Sequence, residues 1–338
     1  MTYSIFCYSD AGAGLAQKLC GLLKLSPEHV HTTEKHVKDC GFTCHKSISG
    51  DMKELFSGSD ALIFIGAAGI AVRTVAPYIV SKTSDPAVLV IDDRGRYVIP
   101  VLSGHIGGAN ELSREIARLI GAQAVVTTAT DGAGKFSCDA WAVTHGCAIS
   151  SMHLAKEVSA AVLTEDVPVC SEYALPEDLP AGLTAEKVGE LGVFIGIHKE
   201  EPYASTLRLI PRVVTLGIGC RKNIPLSGFM AAVHSVLDGS GIDLRAVGTI
   251  ASIDVKKEEK GIIGLAEALD AETVFYSAEQ LNAVPGEFEE SEFVRKTVGT
   301  GNVCERAAVL AGGKLIIGKT AVNGVTVAVS VRDWRIEF

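Results

Sequence analysis

No apolar run in this chain is long enough to cross a bilayer. Gly, Pro or a charged residue interrupts each one within about ten residues, and a spanning helix needs about twenty. The opening MTYSIFCYSD lacks the basic stretch of a secretory signal and soon meets Asp10. It reads as a first strand, and a cytoplasmic location is expected. Positive charge is scarce too: 31 Lys and Arg face 40 Asp and Glu, for a net charge of −9. That balance excludes broad adhesion to nucleic acid or to anionic membranes. A polyanionic substrate would therefore need a local pocket of Arg and Lys. A cysteine framework is also missing. Nine cysteines is an odd number, and they are scattered, so buried or idle thiols in a reducing compartment are expected. His29, His31, His36, Cys40, Cys44 and His45 crowd one polar segment. Their spacings match no standard zinc pattern, so the segment reads as solvated surface with no metal.

Nucleotide signatures are absent where they would matter. Ser9–Gly14 follows the first strand but lacks the third glycine of the dinucleotide fingerprint, and Gly217-x-Gly219 is followed by Asn223 rather than glycine. GKLIIGKT, Gly313 to Thr320, satisfies the letters of a phosphate loop. Its interior is itself a strand, and a hairpin at Asn323–Gly324 follows, so the loop reading fails.

What is present is a repeated strand–glycine–helix pattern. With 338 residues, 47% hydrophobic and 21% charged, the chain is globular and long enough for two or three domains. The expected fold class is α/β: two three-layer α/β/α domains with mainly parallel sheets, joined by a smaller α+β middle section. The expected bounds are 1–137, 138–211 and 212–338. In the middle section two strands are expected, Val193–Ile197 and Thr206–Ile210, and no chemistry is assigned to it.

The stretch VLSGHIGGANEL, Val101 to Leu112, holds the densest chemistry. A strand ends, three glycines and a histidine follow, and a helix opens with Asn110 as its N-cap and runs to Ile120. Gly107 and Gly108 let the backbone approach a ligand. N–H groups from Gly107 to Asn110 would favour a developing negative charge. Ser103 offers a hydroxyl and His105 a proton carrier near neutral pH. Gly66 and Gly69 after a buried strand, Asp92, and Thr128 to Asp131 are expected at the carboxyl ends of neighbouring strands, where ligands bind in open α/β sheets. In the last third, Gly219, Cys220, Arg221 and Lys222 form a glycine and cation turn in which a thiolate would be favoured, although Cys220 also reads simply as a small residue at a helix approach. The run from Asp254 to Glu258 reads as a solvated loop.

Several of these stretches occur in an order that resembles one family. GAAGIAVR (Gly66 to Arg73), SKTSDPAVLVIDDRG (Ser81 to Gly95), VLSGHIGGANEL and VVTTATD (Val125 to Asp131) resemble the cobalt-precorrin-5A hydrolase family, called CbiG, of anaerobic cobalamin biosynthesis. LGIGCRKN, TIASIDVKKEE (Thr249 to Glu259), YSAEQL, SEFVRKTVG (Ser291 to Gly299) and NVCERAAVLA resemble that family's carboxyl-terminal region. The resemblance implies a hydrolase that opens a δ-lactone on a cobalt-bearing contracted tetrapyrrole and releases acetaldehyde, giving cobalt-precorrin-5B. It implies no protein-bound cofactor, with cobalt carried by the substrate.

For that chemistry His105 is expected as the base and Ser103 as the group that orients water. A nucleophilic Ser103 is less attractive, because no nucleophile-elbow pattern surrounds it. Glu111 or Asp131 is the expected alternate acid. Arg73, Lys82, Arg221 and Lys222 are expected to pair the substrate carboxylates, in a cleft between domains. Gly66, Gly69, Asp92, Gly104, Gly107, Gly108, Asn110, Thr128, Gly219 and Cys220 complete the expected binding set. The expected partner is the tetrapyrrole itself. Neighbouring pathway enzymes and a homodimer are compatible with the sequence, whereas nucleic acid and membrane are not expected. Two other classes stay open: a non-catalytic tetrapyrrole carrier or assembly partner, and a doubly wound nucleotide-binding enzyme.

Overall fold

A computed structural model describes the chain apart from residues 34–40, 82–83, 129–131 and 187. His36, Cys40, Lys82, Thr130 and Asp131 therefore lie outside the described residues. Two compact units emerge, Met1–Val143 and Thr144–Phe338.

The first unit is built on seven strands: β1 (Tyr3–Cys7), β2 (Val30–Thr33), β3 (Thr43–His45), β4 (Ala61–Ile65), β5 (Ala87–Ile91), β6 (Tyr97–Leu102) and β7 (Gln123–Ala124). Their spatial order is β3-β2-β1-β4-β5-β6-β7. The continuous apolar runs of β4 and β5 are required because helices cover both faces. Ala61, Ile63 and Ile65 pack with α1 (Asp10–Leu23) and α4 (Ala109–Ile120), while Leu62 and Phe64 pack with α2 (Ile48–Gly58) and α3 (Ala68–Val75). Each large side chain buried this way contributes roughly 1.5–3 kcal/mol, so β4 alone anchors both layers. Ser9 starts α1 by accepting the Gly12 N–H at 3.0 Å.

One strand runs against the others. β1, β2, β3, β4 and β5 are parallel, but β6 pairs antiparallel with β5, Val88 opposite Leu102, and β7 is parallel to β6. The carboxyl ends of β6 and β7 thus lie at the amino edge of β5. This divides the expected single row of strand ends into two. Gly66, Gly69 and Asp92 sit on one edge of the sheet, and the Ser103–Gly108 turn with Thr128 sits on the other. The cause is the Asp92–Gly95 turn, which reverses the chain. The Asp92 carboxylate accepts the Arg96 and Tyr97 N–H groups at 2.6 and 2.8 Å. Burial works to raise the Asp92 pKa, but these N–H donors outweigh it and hold the carboxyl below its usual range.

The histidine-rich segment is solvated only in part: Cys44 is exposed, whereas His31 is buried. His31 is 7% exposed, stacks on Phe6 and shares a 2.9 Å hydrogen bond with His45 Nε2, whose Nδ1 meets Asp51 at 2.6 Å. Burial, then the neighbouring His45 and His29, push the His31 pKa down from 6.5 to about 4. Between these two values the unfolded chain binds a proton that the folded chain refuses. Stability is therefore full above pH 6.5 and falls as pH drops toward 4. Urea unfolding of the first unit should show this loss, and H31F should flatten that part of the pH profile. An unchanged slope in H31F would remove His31 as its source.

The second unit carries two sheets. β8 (Cys147–Ile149), β9 (Val167–Ser171), β10 (Leu183–Thr184), β11 (Leu191–Ile195) and β12 (Ser205–Pro211) are ordered β10-β9-β11-β12-β8, with only the β12–β8 pairing antiparallel. Where two strands in an α+β section were expected, five form a mainly parallel sheet. β8, β9 and β10 are too short or too mixed to announce themselves. β13 (Val214–Cys220), β14 (Val247–Ile253), β15 (Glu272–Tyr276), β16 (Lys314–Val322) and β17 (Val325–Val331) are ordered β15-β14-β13-β17-β16. The helices Leu226–Gly239 and Lys260–Leu269 cover one face of this sheet, and the helix Cys304–Gly312 covers the other.

The two sheets of this unit share a core that includes Ile197, Ile210, Val214 and Ile242. A polar clasp ties them as well. Buried Asp243 accepts from Arg208 Nη1 at 2.7 Å and from Arg245 Nε at 2.9 Å, and Arg245 Nη1 reaches the Ser150 carbonyl at 3.1 Å. Burial opposes ionisation of Asp243, yet the two guanidinium groups win and hold its pKa at about 2.

Candidate active site

β6 ends at Leu102, and Ser103 turns the chain with φ of 57°. That left-handed conformation costs a residue with a side chain about 1–3 kcal/mol. The turn holds it with three hydrogen bonds: Gly108 N–H to His105 O at 2.9 Å, Ala109 N–H to Ser103 O at 3.1 Å, and Asn110 N–H to Gly104 O at 2.8 Å. Gly107 must be glycine, since a Cβ there would collide with the Ser103 side chain. The segment before β5 closes the turn from behind. Asp85 is buried, its carboxylate accepts the Val80 and Ser81 N–H groups at 3.0 and 3.1 Å, and its carbonyl faces Gly107.

This closure corrects the expected donor set. The N–H groups of Gly108, Ala109 and Asn110 are spent inside the turn. Those of Gly104, Ile106 and Gly107 donate to no acceptor among the described residues. The helix cap is corrected as well. α4 opens at Ala109 behind Gly108, whose φ is 76°, and no side chain caps it. Asn110 lies inside the helix, buried, and its Nδ2 donates to Thr128 Oγ1 at 3.1 Å. It thus ties the turn to the segment after β7 rather than capping the helix.

Two side chains of the turn carry reactive atoms. Ser103 is 8% exposed, and its buried Oγ has no hydrogen-bond partner among the described residues. His105 is mostly buried, and its Nδ1 lies 3.3 Å from Asp139 Oδ2. Asp139 belongs to the helix Cys138–Thr144, and its other oxygen accepts from Ser137 Oγ at 2.9 Å and from the Ala140 N–H at 3.1 Å. No sequence reading assigned Asp139 a role. The signal is faint: a carboxylate at a helix start, in a section that carries no other chemistry.

The remaining expected residues separate from this centre. Glu111 is 78% exposed and pairs with Arg114 at 3.2 Å on the outer face of α4, so it is not the acid beside His105. Asp131 and Lys82 lie outside the described residues. Gly66 donates its N–H to Ile91 O at 2.8 Å on the opposite sheet edge, and Gly69 faces open space there. Arg73 is exposed in α3 with no ion pair among the described residues.

In the second unit the expected glycine turn is a strand. β13 continues through Cys220, and Gly217 and Gly219 pair with Ala328 and Thr326 of β17. Burial pushes the Cys220 thiol pKa up, only partly offset by Lys256, so a favoured thiolate is not found. The Asp254–Glu258 run is not simply solvated either. Lys256 pairs with Glu259 at 3.1 Å, both side chains are mostly buried, and Glu259 accepts the Asn223 N–H at 3.0 Å. Arg221 and Lys222 are exposed just beyond β13.

Comparison with known proteins agrees with the ordered motifs. The family model described as Cobalamin synthesis G N-terminal matches residues 51–131, and that described as Cobalamin synthesis G C-terminus matches residues 214–330. A protein of Salmonella typhimurium named cobalt-precorrin-5A hydrolase is 34% identical over 348 aligned residues, covering 97% of each chain. One of the same name from Priestia megaterium is 32% identical, covering 83% of this chain and 80% of its own. A solved structure of a cobalamin biosynthesis protein G homologue from Sulfolobus solfataricus covers 98% of this chain and 97% of its own, at 24% identity and a TM-score of 0.41. The end-to-end identity to the Salmonella protein, with both family models matched in order, establishes that this chain belongs to the CbiG family.

Proposed function

We propose that this chain is a cobalt-precorrin-5A hydrolase, opening the substrate's δ-lactone with water and releasing acetaldehyde. The observation that carries the site assignment is the turn itself. Within six residues it presents an imidazole, a buried hydroxyl with no partner among the described residues, and three N–H groups with no acceptor among the described residues.

His105 takes a proton from water as the oxygen bonds to the lactone carbonyl carbon. The N–H groups of Gly104, Ile106 and Gly107 are the donors for the resulting oxyanion. Ser103 Oγ orients the water. Collapse of the tetrahedral intermediate breaks the carbon–oxygen ester bond, and the proton on His105 passes to the leaving alkoxide. The freed hydroxyl then loses its proton to the same imidazole as the carbon–carbon bond breaks. Acetaldehyde departs, and the electron pair stays on the conjugated ring. Cobalt enters and leaves with the substrate. We place the reaction in the cytoplasm.

The test is direct. Purified protein incubated with cobalt-precorrin-5A should release acetaldehyde, read by a coupled alcohol dehydrogenase. Tight binding of the corrinoid with the lactone intact would instead identify a carrier.

A further inference from the structure

We infer that Asp139 is a positioning residue for His105, fixing the tautomer and orientation of the imidazole that acts as base. The inference rests on the reading of His105 given above, and it extends that reading to a residue beyond the 51–131 match to the amino-terminal family model.

Three observations carry it. The first is the contact. Asp139 Oδ2 stands 3.3 Å from His105 Nδ1, with the imidazole mostly buried and the carboxylate side chain 8% exposed. A carboxylate at Nδ1 keeps the proton there and leaves Nε2 as the lone-pair nitrogen, the form a general base needs. The second is that the carboxylate is itself held. Ser137 Oγ and the Ala140 N–H both bind its other oxygen, which fixes the carboxylate with Oδ2 3.3 Å from the ring nitrogen. The third is that the carboxylates of the described residues next to the turn, Glu111 and Asp85, are engaged elsewhere. Glu111 pairs outward with Arg114, and Asp85 is occupied by the Val80 and Ser81 N–H groups. Asp139 belongs to the same compact unit as the turn, although the sequence separates them by all of α4 and β7.

Asp139 touches neither substrate nor water in this scheme. It holds the base in register and stabilises the imidazolium formed when the proton arrives. The asparagine variant keeps the shape but removes the charge, and its amide can present an N–H to Nδ1 and so favour the wrong tautomer.

Two measurements test this, one of which needs no substrate. In wild type and D139N, the His105 ring is titrated by nuclear magnetic resonance with labelled histidine. Loss of an adjacent negative charge should lower its titration midpoint by about one pH unit or more, and the nitrogen shifts should report less Nδ1–H tautomer. In the acetaldehyde assay, D139N should lose roughly 10²–10⁴-fold in kcat with KM changed by only a few fold, and D139E should recover part of the loss. An unmoved His105 titration overturns the inference, as does wild-type kcat in D139N. If wild-type protein releases no acetaldehyde, the proposed reaction fails. The titration alone then decides whether Asp139 positions His105.

Discussion

H105A should release acetaldehyde about 10²–10⁴-fold more slowly than wild type while binding the corrinoid with similar affinity, because general-base assistance contributes about that much. The ring sits in a turn fastened by its own backbone, so truncating it should leave the fold intact. Gly108 N–H still bonds the residue 105 carbonyl, and Ala109 and Asn110 still bond the carbonyls of Ser103 and Gly104. Circular dichroism and a corrinoid titration would confirm that H105A is folded and loaded. H105Q, which keeps a polar side chain but has no titrating nitrogen, should fail to the same degree. If H105A instead turns over at the wild-type rate, His105 is not the base, and the N–H groups of the turn would have to work with another acceptor.

G217A should unfold the second unit at markedly lower urea concentration, with a loss of at least about 3 kcal/mol, the upper part of the usual overpacking range. Gly217 lies inside β13, and a Cβ there would collide with the Cys304 carbonyl oxygen and press on Ala308. Backbone cannot swing aside as a side chain can. The helix Cys304–Gly312 would have to lift from the sheet, and the small buried layer of Cys304, Ala308 and Ala328 would open with it. G69A is the matching control. Gly69 is helical with nothing within 4 Å of its missing Cβ, so alanine there should be neutral or stabilising by up to about 1 kcal/mol. Equal midpoints for wild type and G217A would mean that the helix has room that its packing on β13 denies.

The two glycines show what a sequence can reveal about this fold and what it cannot. Strand–glycine–helix steps are visible as patterns, and the α/β class follows from them. The purpose of each glycine is not visible. Gly107 makes room for Ser103 in a reactive turn, whereas Gly217 makes room for a helix on a strand, and both look alike in letters. The candidate site was legible where its parts are local. Ser103, Gly104, His105 and Gly107 fall within five consecutive positions, a density of chemistry that no other stretch of the chain matches.

What depends on strand direction was misplaced. The return of β6 was readable from the Asp92–Gly95 turn, yet that return moves the turn to the edge opposite Gly66 and Asp92. Hydrogen bonds inside the turn also redistribute the available donors, a matter of backbone angles that composition does not encode. Asp139 was missed for a plainer reason. Its partner is far along the chain, and a carboxylate at a helix start has an ordinary structural explanation. The cations next to Cys220 in sequence, Arg221 and Lys222, do not set its chemistry. Burial dominates its chemistry instead.

The placement of β1 in the first sheet bears on how the protein can be dissected. β1 is hydrogen-bonded between β2 and β4, although it comes at the very beginning of the described chain. A fragment cut to the 51–131 match would keep the reactive turn but forfeit the strand that β4 leans on, and would end short of Asp139. An interior strand drawn from Tyr3–Cys7 makes the first unit indivisible: an excerpt must run from β1 through Asp139 to contain both its sheet and its chemistry.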